Sequence, residues 1–198
     1  MPQNTRRDLR RALHRLAAAQ SGYFTAAQAL KAGYSYQAQR YHVEHNNWTR
    51  MERGIFRLHD WPSGDHDDLV LWTLWSRNLG VVSHDTAIAV HGLGDLNPAA
   101  IHLTVPLGFR ASARGLVLHR AKLPENDVEI HSGYRITTPV RSILDVAAHG
   151  IEGGRLANIV TDALERGLTS PRALRERGDA FGAAAALRID RALSGIGR

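Results

Sequence analysis

The chain reads as an α+β protein: an N-terminal winged helix-turn-helix followed by a mixed α/β domain with a small sheet and C-terminal helices. Three observations predict this. Residues 24–58, FTAAQALKAGYSYQAQRYHVEHNNWTRMERGIFRL, carry the pattern of two short helices, a tight turn and a basic hairpin. Residues 1–60 hold ten Lys/Arg against four Asp/Glu, whereas residues 61–198 hold fifteen of each, so the whole formal charge of +6 sits on that first segment. Beyond residue 62 the texture changes to short β-rich runs and alanine-rich helical ones. Clustered charge of one sign creates a field that attracts an oppositely charged partner, and a basic one fits nucleic acid.

Each element follows from local chemistry. Residues 5–19 are expected to be helical, with Leu9, Leu13, Leu16 and Ala12 on one face and Arg6, Arg7, Arg10 and Arg11 around the rest. Those arginines either touch a flanking phosphate backbone or solvate the helix. Ser21-Gly22 ends it. Thr25 caps the next helix and Gln28 completes a capping box. Gly33 closes that helix, and Ser35 caps a third over 36–45, which Asn46-Asn47 stops. Residues 48–50 and 54–58 are expected to pair around the turn Met51-Glu52-Arg53-Gly54 as the wing. The turn-rich run 60–64 marks the expected boundary between a domain over 1–62 and a second over 63–198.

In the second half, 65–78 reads as a helix with Leu69, Trp72 and Leu79 inward, and 84–91 as another capped by Ser83. Strands are expected at 101–105, 116–119, 128–130 and 134–136. Thr138-Pro139 starts a helix whose buried stripe is Val140, Ile143, Leu144 and Ala147, with Arg141 and Asp145 read as a surface pair. Helices over 156–164, from Ser170-Pro171, and over 181–193 complete the chain.

The third helix has two faces. Gln39, His42, Val43 and Asn46 fall together as the packing side. Tyr36, Gln37, Arg40, Tyr41 and Glu44 fall on the other. Arg reads guanine and Gln reads adenine, each with two hydrogen bonds, and Tyr reaches phosphate or a thymine methyl. The candidate recognition residues are therefore Ser35, Tyr36, Gln37, Arg40 and Tyr41. Arg50, Arg53 and Arg57 on the wing would grip phosphates, as would the helix start at Thr25. The same wing arginines also protect an edge hairpin from aggregation, and the two uses are compatible.

Other classes find little support. No apolar run approaches the roughly 20 residues of a membrane span, and the basic N-terminus lacks the apolar core of a secretory signal. The expected location is cytoplasmic. Cysteine is absent, which excludes disulfides, thiolate zinc sites and Cys nucleophiles. The eleven histidines show no HExxH spacing. His66-Asp67-Asp68 reads as charge at a helix start, and His84 and His91 as packed, hydrogen-bonded rings. Lys31 and Lys122 are the only lysines, and neither lies two residues after Asp127 or Glu129, as a metal-dependent nuclease needs. Adjacent residues such as Ser83-His84-Asp85 cannot form a catalytic relay, and no GxxxxGK loop is present. The expectation is a non-enzyme without cofactor or metal.

With these residues in view, the chain resembles the AbiEi-type antitoxins, the DNA-binding members of abortive-infection, type IV toxin–antitoxin pairs. Residues 24–48 and Arg53-Gly54-Ile55-Phe56-Arg57 match the family's winged-helix domain and its R-G-[aliphatic]-[aromatic]-R wing. Later motifs follow in the family's order: SHDTA at 83–87, HGL at 91–93, HLTVP at 102–106, HRAKLP at 119–124 and TTPVRSILD at 137–145. Gln39 and His42 stand where the family usually puts aliphatic residues. Some relatives carry a nuclease-like domain after the T-x-P-x-R-x-x-x-D segment; an alanine-rich tail follows here, which sets the expectation of no nuclease activity. The resemblance implies a repressor that binds double-stranded DNA at its own operator and counters a nucleotidyltransferase toxin. The alternatives are a protein-interaction module whose second domain binds a toxin or other partner, and a stand-alone regulator without a toxin.

Overall fold

A computed structural model describes residues 6–196; Thr5, expected at the start of the first helix, lies outside them. The chain divides into two compact units, residues 1–79 with 130–134 and residues 80–129 with 135–198. The first unit therefore runs past the boundary expected at residue 62.

The first unit contains α1 (Arg6–Ala18), β1 (Tyr23–Thr25), α2 (Ala26–Lys31), α3 (Tyr36–Glu44), β2 (Trp48–Glu52), β3 (Ile55–Leu58) and α4 (Asp67–Trp75). Its sheet is antiparallel in the order β1-β3-β2. Strand β1 has only three residues, too few for a period, and exists because Tyr23, Phe24 and Thr25 pair with Arg57, Phe56 and Ile55. The buried stripe of α1 is Leu13 and Ala17 flanked by Leu9 and Leu16. Ala12, expected in that stripe, is exposed, because the i, i+4, i+7, i+8 series from Leu9 passes it by. An aromatic cluster fills the centre. Phe24 meets Trp48 edge-on at 4.8 Å, Tyr34 meets it at 5.1 Å, and His42 stacks on it at 4.6 Å. Such pairs add about 0.5–1.5 kcal/mol each beyond area burial. In α4, Leu69, Val70, Thr73 and Leu74 are buried and Trp72 is half-buried. Leu79, expected inward, is 48% exposed. The helix stops at Trp75, and left-handed Arg77 and Asn78 turn the chain off its axis.

A second sheet has five strands in the order β6-β5-β4-β8-β7, and most of its residues belong to the second unit. Its strands are β4 (Val81–Val82), β5 (Ile101–Val105), β6 (Leu116–Arg120), β7 (Val128–His131) and β8 (Tyr134–Thr137). The two residues of β4 run antiparallel to β5 and parallel to β8, while β5 and β6 are parallel. Helix α5 (His84–Val90) follows β4. Then α6 (Pro139–His149), α7 (Gly153–Glu165), α8 (Pro171–Phe181) and α9 (Ala183–Gly195) pack around Leu93, Ile143, Leu144, Leu156, Ile159, Leu174 and Ile189. Thr138 caps α6 with Pro139 in its first turn, as its sequence requires. Ser83 sits at the N-cap of α5 but does not cap with its hydroxyl, which instead accepts from Thr104 Oγ1 at 2.8 Å and meets His84 Nδ1 at 3.0 Å. Burial in α6 is wider than a stripe: every residue from Arg141 to Ala147 is buried, and Val140 is half-buried.

Candidate nucleic-acid interface

Helices α2 and α3 form the helix-turn-helix-like part of the first unit. Thr25 Oγ1 accepts from the Gln28 N–H at 3.1 Å, and Gln28 Oε1 accepts from the Thr25 N–H at 2.7 Å. Both halves of the capping box are thus present, worth about 1 kcal/mol for the cap. Ser35 Oγ accepts from the Ala38 N–H and starts α3. Between the helices Gly33 has a φ of +104°, which demands glycine, and a Cβ there would lie 2.6 Å from Leu9 Cδ2 and push that side-chain end aside. Gln39 is buried, and its amide donates to the carbonyls of Ala26 and Tyr34 at 3.2 Å. A polar residue at this packing position is stable because it is hydrogen-bonded, and it fixes the angle between the two helices. His42 has no such compensation: its Nδ1 is buried without a partner, and burial lowers its pKa.

The other face of α3 is open. Tyr36, Gln37, Arg40, Tyr41 and Glu44 are exposed, with Tyr36 71% and Tyr41 53% accessible, and Ser35 is exposed at the helix start. Large aromatic rings left this far in water are outside the hydrophobic core. Arg40 Nε donates to Glu44 Oε1 at 2.7 Å, an exposed i,i+4 pair that a stronger partner displaces at small cost. Tyr41 stacks on His45 at 3.9 Å. Asn46, expected on the packing side, is exposed and left-handed, because it already belongs to the turn that ends the helix.

The β2–β3 hairpin turns at Arg53-Gly54 after a bulge between Arg50 and Glu52. The Ala26 N–H donates to the Gly54 carbonyl at 2.8 Å, which ties the hairpin tip to the start of α2 beside Thr25. Arg50 and Arg53 are exposed, Arg50 with its guanidinium carbon 5.3 Å from the Phe56 ring centre. Arg57 departs from its expected phosphate-gripping role. Its guanidinium pairs with Asp67, donates to the carbonyls of Ser21 and Pro62 and covers the Tyr23 ring, leaving its side chain 14% exposed. An arginine with these partners braces the unit and is withdrawn from the candidate interface.

Two polar clusters in the second unit escaped sequence reasoning. Arg141 and Asp145, expected as a surface pair, are 7% and 3% exposed. Arg141 donates to Asp145 at 2.9 Å and to Asp127 at 3.0 Å, and Arg177 pairs with the other Asp127 oxygen. Burial raises the Asp145 pKa to about 6 despite the opposing pull of Arg141. The i,i+4 spacing was visible, but Asp127, which arrives from another element, was not. His84, His102, His119 and His149 also converge. They come from α5, β5, β6 and α6, so no local spacing could reveal them. His91 is hydrogen-bonded as expected, to the Thr137 carbonyl at 2.7 Å. No helix among the described residues is long and apolar enough to cross a membrane.

Two family models match the chain. Residues 11–59 match the family model described as transcriptional regulator, AbiEi antitoxin, and residues 79–194 match the AbiEi antitoxin C-terminal domain. Both families are regulatory. The crystal structure of the RV2827C protein from Mycobacterium tuberculosis has a similar fold, with a TM-score of 0.63 at 15% identity, covering 96% of this chain and 77% of that one. No curated protein sequence matches.

Proposed function

The chain belongs to the AbiEi antitoxin family, and from that premise we propose that it is a sequence-specific DNA-binding repressor acting on its own operator. The observation that carries the proposal is the division of α3: Gln39 locked inward by two hydrogen bonds, and Tyr36, Gln37, Arg40 and Tyr41 presented outward within the segment, residues 1–60, that holds the chain's excess of positive charge. A nine-residue helix is about 13.5 Å long, and its open face fits the major groove. Arg40 and Gln37 read base edges there, and Tyr36 and Tyr41 fill the groove with apolar and hydroxyl contacts. The hairpin acts as a wing: Arg50 and Arg53 grip the adjacent backbone, and the start of α3 at Ser35 adds N–H contacts to phosphate, with the Ala27 N–H beside Thr25 at the start of α2, where the Thr25, Ala26 and Gln28 N–H groups are already bonded.

The test separates reading from gripping. Arg40→Ala removes discrimination between operator and random duplex, whereas Arg53→Ala weakens both about equally. Equal losses from the two substitutions would remove the base-reading assignment. As an antitoxin the protein further counters a nucleotidyltransferase toxin. Co-expression with the neighbouring open reading frame checks this, and protection by residues 63–198 alone would favour the reading in which the second domain binds a partner.

A further inference from the structure

The second unit gathers four imidazoles and a carboxylate that the proposed DNA-binding role does not use. Each of His84, His119 and His149 offers a ring nitrogen, and these three atoms lie within 4.8 Å of one another. His84 begins α5, His119 lies in β6, and His149 ends α6, so three elements that meet at the sheet supply one residue each. His84 and His119 stack with ring centres 3.4 Å apart, and His149 meets both edge-on at 5.6 and 5.1 Å. Two imidazolium ions cannot stack at that distance. Burial holds both rings neutral, at about 2 for His84 and about 4 for His119, so each keeps a lone pair at neutral pH.

The surroundings are those of a prepared ligand set. His84 Nδ1 lies 3.0 Å from Ser83 Oγ and 4.0 Å from Asp145 Oδ2. That Asp145 oxygen is buried and has no hydrogen-bond partner, while the other is held by Arg141. The Ser83 hydroxyl within hydrogen-bond reach of Nδ1, with the Asp145 carboxylate just beyond it, holds the ring by its Nδ1 side and leaves Nε2 for a ligand, as partners behind metal-binding histidines do. His102 Nδ1 meets His119 Nε2 at 3.1 Å, so a fourth imidazole orients that ring. His84 stands at a φ of +52°, a left-handed backbone uncommon for a non-glycine residue. Asp145 and His149 are four residues apart on α6, so the orienting carboxylate and the third ligand share one helix face. His149 is exposed and gives an ion a path in.

We propose that His84, His119 and His149 bind one divalent transition-metal ion of the zinc class, with Ser83 and Asp145 orienting His84 and His102 orienting His119. Imidazole nitrogens without hard oxygen ligands favour zinc, copper or nickel over magnesium or calcium. Tetrahedral zinc needs nitrogens about 3.3 Å apart at bond lengths near 2.05 Å, so the ligand atoms, now within 4.8 Å, close by about 1.5 Å at most, and the stacked His84 and His119 rings tilt apart as they bind, since an imidazole holds a metal in its own plane. The fourth position is left to water.

The test uses the full chain stripped with a chelator, titrated calorimetrically with zinc chloride and, in parallel, with cobalt chloride read by its visible absorption. One equivalent binds, tetrahedral cobalt bands appear, and the melting temperature rises with zinc. His149→Ala, at an exposed helix end, keeps the fold and loses more affinity than the roughly 10–100-fold typical of an orienting partner. His119→Gln does the same, while His59→Ala, in the other unit, binds like the parent. Absence of a binding equivalent, or a full equivalent at unchanged affinity in both His149→Ala and His119→Gln, would overturn the site.

Discussion

Replacing Arg141 by Met preserves most of the side-chain volume and removes the guanidinium shared by two buried carboxylates. Asp145 Oδ1 and Asp127 Oδ2 each lose a charged donor at 2.9–3.0 Å, and Asp127 keeps Arg177 while Asp145 keeps no cation. Breaking a buried pair from one side costs about 3–5 kcal/mol, because the stranded charge stays desolvated. Raising the Asp145 pKa further and protonating it recovers part of this at low pH. The matched control is Arg172→Ala. Arg172 and Glu176 form the same i,i+4 pair at 2.7 Å, but with side chains 88% and 62% exposed, where the loss is below about 0.5 kcal/mol. Urea unfolding followed by far-ultraviolet circular dichroism reads the helices α6–α9. With a slope near 2 kcal/mol per molar, Arg141→Met lowers the midpoint by about 1.5–2.5 M, and Arg172→Ala hardly moves it. Equal small shifts from the two substitutions would refute the assignment of Arg141 to a buried network.

Arg57→Ala destabilises the first unit by about 1–3 kcal/mol, since the Asp67 carboxylate and two carbonyls lose a charged donor; Arg53→Ala stays within about 0.5 kcal/mol of the parent in thermal melts and acts only on DNA affinity. The reverse pattern would exchange their roles. Gly33→Ala lowers stability by about 1–3 kcal/mol, because it meets Leu9 and a left-handed backbone together; an unchanged melting temperature would contradict that geometry. Chelator-treated protein loses stability as pH falls from 6.5 toward 4. His84 and His119 are depressed in the fold to about 2 and about 4, so their contribution is full above 6.5 and is lost as pH falls below it, the buried His84 losing up to about 1.4 kcal/mol per pH unit and the half-exposed His119 less. Burial lowers His102 as well, with the same sign, whereas Asp145, raised to about 6, acts with the opposite sign: its contribution is full below about 3.8 and lost as pH rises through 6, so it offsets only part of the loss. Melts that rise between pH 6.5 and 4 would contradict these environments.

What was legible in the sequence was local. The Thr25/Gln28 box, the Thr138-Pro139 start and the glycine at 33 each state their geometry within a few residues. The two faces of α3 followed from helical period, although Gln39 and His42 are polar, because the neighbouring positions are more polar still. The strands β1 and β4 were missed because they are defined by partners far away in sequence. Arg57 matched the wing motif, yet its fate depends on Asp67, Ser21 and Pro62, which no motif includes. The histidine cluster and the Asp127–Arg141–Asp145 network likewise exist only after the sheet and α6 have assembled. Burial turned a pair that spacing describes as superficial into a buried one.

The most direct test of the central proposal is a gel-shift titration of the intact protein against its own upstream DNA, with random DNA as competitor, at several salt concentrations. A shift that survives competition, with log affinity falling by about 0.9 per log unit of salt for each phosphate neutralised, is the expected result, and Arg40→Ala abolishes that preference. A shift lost equally to random competitor, or one insensitive to salt, would contradict a role in reading operator sequence through α3.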